Sequence, residues 1–249
     1  MKKHISYSEL KTWDECAYKH KLVYLDEVKK FLGSEHTAFG TAVHEVCEKS
    51  VLGEIGLDDK SLHECFDNKF LEEIKTLTES NVELDKKLLK DMRGQARDLL
   101  HHIVPELKNH FTFYEVVSAE EKLYEPIDGS EKKYKGFIDL VIKTKDGRHH
   151  IIDWKTCSWG WDARRKNERI TTYQLALYKH FYSQKHNIDP ADIDTHFALL
   201  KRTAKSNKVE IFKVTTGNKK VENSLKLLNK AVYNIDNGKF IKNRLSCTT

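Results

Sequence analysis

The chain has 249 residues, 39% of them hydrophobic and 10% aromatic, which supplies one sizeable buried core and argues against disorder over the whole length. Its 43 basic and 38 acidic residues leave a net charge of +5 and a pI near 8.7, a balance that favours a polyanionic partner without requiring one. The five cysteines (Cys16, Cys47, Cys65, Cys157 and Cys247) form no C-x-x-C pair, and no run approaches the roughly 18 to 20 apolar residues of a membrane span. A disulfide scaffold and a transmembrane protein are thereby excluded, and a reducing cytoplasm is the expected setting.

In chain order, Ser6-Tyr7-Ser8-Glu9 has the spacing of a capping box, and Leu10, Trp13, Ala17, Leu22 and Leu25 recur at near-helical intervals. A helix is expected from about residue 7 to the middle twenties. Gly33 to Gly40 reads as a loop, followed by a second helix with Ala42, Val43, Val46, Cys47 and Val51 on its apolar side and its end near Gly53. His44 and Glu48, four apart, then share one face. Residues 59–110 are rich in Lys, Glu and Leu and read as two or three helices, an expected helical insertion. Short β-branched and aromatic runs follow at Tyr114 to Ile127, Lys135 to Thr144 and His149 to Thr156, bounded by Asp128-Gly129 and Asp146-Gly147. Beyond them, Thr172 to Gln184 reads as a helix, His196 to Lys201 with Lys208 to Thr215 as a hairpin, and Val221 to Asn237 as a closing amphipathic helix. The expected architecture is one α/β domain over residues 1–249, a mixed sheet flanked by helices.

Two acids, Asp139 and Asp153, stand inside otherwise apolar strands. Burying an ionised carboxylate is costly unless it is paired or binds a cation. If Lys145, Asp146 and Gly147 form a three-residue loop with Gly147 in the left-handed position, Asp139 faces Asp153 across the ladder. A two-residue loop would instead pair Asp139 with Trp154 and separate the acids. The glycine's position favours the first. Lys155, two residues past Asp153, joins the same face. Two acids and a lysine suit a hard divalent cation such as Mg²⁺ and the stabilisation of charge on a phosphate. Taken alone, a D-x-K triplet is more simply a salt bridge on a half-exposed sheet face.

Together these segments resemble the RecB-type branch of the PD-(D/E)XK nucleases, whose fold is that of the restriction endonucleases. Phe39-Gly40-Thr41-Ala42-Val43-His44 is similar to the family's G-x-x-x-H helix, Gly136-Phe137-Ile138-Asp139 to its G-x-x-D strand, Ile152-Asp153-Trp154-Lys155 to its D-x-K strand, and Gln174 with Tyr178 to its Q-x-x-x-Y helix. The opening segment from Ser6 to Cys16 resembles that branch as well. The resemblance implies that His44, Asp139, Asp153 and the Trp154 carbonyl bind Mg²⁺ or Mn²⁺, that Lys155 is catalytic, and that Gln174 and Tyr178 support the site or touch DNA. Glu121, with Glu120 beside it, resembles an acid common in this branch, and Glu48 could reach a second ion.

Several relatives hold an iron-sulfur cluster through one cysteine near the first helix and three near the C-terminus. Here Cys16 and Cys247 alone occupy such places, so no cluster is expected, four thiolates being the usual requirement. The segment carrying Trp159, Trp161, Arg164 and Arg165 could contact a DNA end through stacking and phosphate neutralisation; the plainer reading is core indoles and solvated charges. The activity implied is a DNA exonuclease acting on linear duplex or single-stranded ends in recombination or repair, phage-encoded by analogy, with a homo-oligomer or a recombination partner as further candidates. The alternatives are a structure-specific endonuclease, a CRISPR-adaptation-type nuclease, or a non-catalytic DNA-binding module of the same fold.

Overall fold

The computed structural model describes residues 2–28 and 32–246; Cys247 lies outside them. Strand β1 (His4–Ser6) leads directly into helix α1 (Tyr7–Glu15). The capping box is present: the Glu9 N–H donates to the Ser6 hydroxyl at 3.3 Å and the Ser6 N–H to the Glu9 carboxylate at 3.1 Å. The helix expected to continue into the twenties instead breaks at Cys16, which is extended at φ −163°, before α2 (Ala17–His20) and a π-helical turn, Lys21–Leu25. A long-range contact lies at the break, where the Asn243 N–H donates to the Cys16 sulfur at 3.3 Å.

Helix α3 (Glu35–Leu52) starts inside the segment read as a loop. Its cap is Ser34, which accepts from the Thr37 N–H, and Gly40 lies within the helix rather than before it. A Cβ at Gly40 would stand 3.4 Å from the Thr156 hydroxyl, where the helix meets the sheet. The end is as expected, at Gly53 with φ +71°. Three helices, α4 (Asp59–Glu79), α5 (Lys86–Leu100) and α6 (Ile103–His110), occupy the Lys/Glu/Leu-rich stretch. Asp58 and Asp85 cap the first two.

The remaining elements are β2 (Tyr114–Pro126), β3 (Lys133–Thr144), β4 (His149–Cys157), α7 (Ala163–Lys166), α8 (Arg169–His186), β5 (Ile193–Lys201), β6 (Val209–Val214) and α9 (Asn218–Asp236). They complete a six-stranded mixed sheet in the order β1-β3-β4-β5-β6, with β2 also on β3. β1/β3 and β4/β5 are parallel and the other pairs antiparallel. β1 adds a strand to the five read from the sequence; three residues are too few to show a period. Helices α3 to α6 cover one face, where Phe39, Phe66, Leu99, Ile152 and Trp154 share a core. Helices α1, α8 and α9 cover the other, around Leu10, Ile151, Phe181, Phe197 and Leu228. No described helix is long and apolar enough to cross a membrane.

Candidate metal centre at an opened hairpin

The β3–β4 ladder runs from Lys143 opposite His149 to Leu140 opposite Ile152. Its loop has three residues: the Thr144 N–H donates to the Arg148 carbonyl at 3.0 Å, and Gly147, at φ +84°, takes the left-handed position. This register sets Asp139 against Asp153. At that point the ladder opens, for the Trp154 N–H donates to the Asp139 carboxylate at 2.7 Å instead of to a backbone carbonyl. β2 holds the far edge of β3 along most of its length, so β1, which pairs with Lys133 to Lys135, lies on the same edge as β4. The chain start therefore lies beside β3 beyond the point where the β3–β4 pairing stops.

The opening coincides with a reversal of faces. Ile138 packs in the α8-side core and Leu140 in the α3-side core, although strict alternation would put residues two apart on one face. On β2 the matching position is Glu120, between the pairs Ala119–Leu140 and Glu121–Ile138, and its φ is +48°. A non-glycine residue held in this region carries backbone strain that the surrounding pairing must sustain.

Three donors from three elements meet here. His44 on α3, Glu120 on β2 and Asp139 on β3 each present one ligand-type atom, all within 4.8 Å of one another, and the His44 Nδ1 is 3.6 Å from an Asp139 oxygen. Burial opposes a charged imidazole, yet Asp139 outweighs it and raises the His44 proton affinity. Glu120 is pushed up to about 7, first by burial and then by the charges of Asp139 and Glu48.

Asp153 is 1% exposed and is pushed up to about 6, chiefly by burial, with Lys155 pulling the other way. The Lys155 ammonium stands 2.5 Å from Oδ2 and pairs with that buried oxygen. Carboxyl groups of raised proton affinity gathered beside an imidazole form a group whose charge a cation would balance. The donor set, two or three carboxylates and one imidazole, fits Mg²⁺ or Mn²⁺.

Other residues singled out in the sequence fall into place around this group. The Gln174 amide donates to the Tyr178 hydroxyl at 3.1 Å, and burial, with Tyr134 and Asp153 adding to it, pushes the Tyr178 phenol well up. A Cβ at Gly136 would lie 2.9 Å from the Tyr178 ring and 3.1 Å from that of Tyr134, so only glycine lets both rings close over the strand. Gly136, Gln174 and Tyr178 line a cleft of about 350 Å³ with Tyr7. Glu48 acts on Glu120 through its charge and stays outside the ligand-spaced group.

Glu121 does not join the group. It points to the α8 face, where Lys185 at 2.7 Å, His186 at 2.6 Å and the Ser118 hydroxyl hold it. Its neighbour Glu120 takes the place beside Asp139. The sequence signal was the pair itself, and the strand irregularity between Val116 and Ser118 was not visible in it. Trp161 is also displaced from the role of contacting DNA: it is 9% exposed and packs on Phe197 and Phe212. Trp159 is 77% exposed, and Arg164 and Arg165 are exposed beside it.

The profile of the PD-(D/E)XK nuclease superfamily matches residues 4–249. The chain belongs to this superfamily. A crystal structure described as "Putative exonuclease" from Eubacterium rectale is similar to this nuclease with a TM-score of 0.63 at 14% identity, covering 99% of this chain and 86% of that one. That likeness shows the restriction-endonuclease-like fold. The crystal structure of SSO0001 aligns at a TM-score of 0.37 and 14% identity, over 91% of this chain and 84% of that one, too loosely to support an argument. No curated protein gives a significant match. Nucleases of this superfamily use divalent metals, and the group at His44, Glu120 and Asp139 is where this nuclease can hold one.

Proposed function

We propose that this nuclease is a Mg²⁺- or Mn²⁺-dependent exonuclease acting on DNA ends in recombination or repair, and that residues 1–249 work as one nuclease domain. The observation that supports it most is the convergence of His44, Glu120 and Asp139 on one point beside the Asp153–Lys155 pair. His44, Glu120, Asp139 and Asp153 would hold the cation, with the Trp154 carbonyl as a further oxygen. When bound, the cation supplies Lewis-acid stabilisation of charge developing on the scissile phosphate. Lys155, anchored by Asp153 and 5.8 Å from the Phe197 ring centre, places a positive charge at the mouth of the site to bind the phosphate and align a water. Asp139 fixes the Trp154 backbone, and so the strand carrying both Asp153 and Lys155. Gln174 and Tyr178 support this arrangement from α8.

The test compares the wild type with Asp153→Ala and Lys155→Ala on end-labelled linear DNA and on closed circular DNA, each with Mg²⁺, Mn²⁺ or EDTA. Metal-dependent loss of linear DNA alone, abolished by either substitution, is expected. Cleavage of the circle would make the enzyme an endonuclease. Binding without cleavage under every condition would reduce it to a binding module.

A further inference from the structure

Beyond Lys155 the chain leaves β4 through Thr156, Cys157 and Ser158 and turns at Trp159 and Gly160. This turn is pinned. The Arg202 N–H donates to the Cys157 carbonyl at 2.9 Å, while the Thr203 N–H and hydroxyl both reach the Ser158 carbonyl, at 3.2 and 2.7 Å. Gly160, at φ +118°, would bring a Cβ within 3.1 Å of the Lys201 side chain. Trp159 is thus presented from a fixed backbone. It is 77% exposed, whereas Trp13, Trp154 and Trp161 are between 1% and 9% exposed. A large flat ring held outward in this way offers a face on which another flat group can stack.

Trp159 borders a cleft of about 430 Å³ whose lining, among the described residues, includes His36, Thr156, Arg165 and Arg202 and no acid. Arg202 is steadied by neutral partners, the Gln95 amide oxygen at 2.6 Å and the Ser158 hydroxyl at 3.0 Å. The Arg165 guanidinium lies 4.9 Å from the Trp161 ring centre. Among the described residues neither arginine has a carboxylate within ion-pair distance, in a chain where Arg93, Arg148 and Arg169 each do. Two uncompensated guanidinium groups and one unburied indole are the complement of a phosphate backbone carrying an unstacked base. Trp159 is four residues past Lys155, at most about 14 Å along an extended chain.

We infer that the Trp159–Arg165–Arg202 cleft binds an unpaired nucleotide of the strand entering the active site, so that the enzyme prefers single-stranded or frayed ends to blunt duplex. The base stacks on Trp159 and its flanking phosphates lie against Arg165 and Arg202. A base inside a duplex has both faces covered and cannot stack on the indole without leaving its pair. This inference rests on the nuclease reading for its direction but not for its test, which needs no cleavage.

In EDTA, affinities for a short oligothymidylate and for a blunt duplex of the same length are compared by fluorescence anisotropy. Trp159→Ala should lower the single-strand-to-duplex affinity ratio about tenfold, the loss expected of one base–aromatic stack, and Trp159→Phe should keep most of it. Arg165→Gln should lessen the salt dependence of single-strand binding by about 0.7 in log–log slope, one phosphate contact. In the wild type, saturating oligothymidylate should shield tryptophan emission from acrylamide. An unchanged ratio in Trp159→Ala, equal weakening of both ligands, or an indole that stays open to acrylamide would overturn the inference. Failure of the nuclease reading would appear separately, as intact DNA with Mg²⁺ despite normal binding.

Discussion

At the turn end of the β3–β4 hairpin, His150 and His196 are buried side by side with ring nitrogens 3.1 Å apart; at the open end, buried Asp153 and half-buried Glu120 lie near Asp139. Desolvation acts on both groups and favours the neutral form in each. It drives His196 down to about 3, helped by His150 and His110, and drives Asp153 up to about 6 and Glu120 up to about 7. The outcomes differ because two neutral imidazoles can share a hydrogen bond, one nitrogen donating and the other accepting, while the second His196 nitrogen, Nδ1, is left without a partner. Carboxylates packed together repel one another unless a proton or a cation intervenes. Desolvation therefore leaves a shared imidazole hydrogen bond at one end and, at the other, a group of acids whose charge a cation would balance.

The largest effect should come from testing which acid belongs to the open end. Glu120→Gln is expected to lower Mg²⁺-dependent cleavage about 100-fold, in the range for loss of one charge-stabilising group, and to raise the metal concentration needed for half-maximal rate. Next is Gly136→Ala, whose methyl group would press on Tyr178 and Tyr134. It should cost about 1–3 kcal/mol of stability, as overpacking does, read as a lower denaturation midpoint.

The third prediction concerns acid. Because the folded pKa of His196 lies below its unfolded value, the unfolded chain binds the extra proton, and stability falls as pH drops from about 6.5 toward 3, by up to about 1.4 kcal/mol per pH unit. Asp153 and Glu120, raised in the fold, pull the opposite way between about 7 and 4. Asp194, held at about 2 by Arg148 and Lys213 against its burial, contributes stability that is lost as pH falls from about 3.8 through about 2. His196→Gln should therefore flatten, or even reverse, the loss of melting temperature between pH 6.5 and 4.5; an unchanged slope would break the comparison. Least affected should be Glu121→Gln, which keeps cleavage within about threefold and costs at most about 1 kcal/mol through the lost Lys185 pairing.

How much of this was legible follows residue by residue. Gly147 announced the hairpin register, because a left-handed loop position leaves few other candidates, and with it the opposition of Asp139 to Asp153. Ser6 and Glu9 announced the start of α1, and Gly53 the end of α3. Gly40 misled, since a glycine inside a helix looks the same in a sequence as one that ends a loop. Cys16 misled because its break accompanies a contact with Asn243, more than two hundred residues away. Glu120 was hidden by a conformation: the simple alternation that makes strands readable fails where both β2 and β3 change faces, and that failure is what brings the third donor to the site. Trp159 and Trp161, two residues apart, could not be told apart without burial, and they proved to be one exposed ring and one core ring.

The bond from the Trp154 N–H to Asp139 has a practical consequence for anyone wanting a catalytically silent version of this protein. Asp139 is at once a candidate ligand and the acceptor that holds two strands in register, so truncating it strands a backbone donor and loosens the hairpin. An Asp139→Ala protein would confound lost chemistry with lost shape. Lys155, proposed as the catalytic lysine, has a side chain 30% exposed and, among the described residues, makes no such bond to the backbone of the opposing strand, so its substitution separates the proposed chemistry from the hairpin's shape more cleanly.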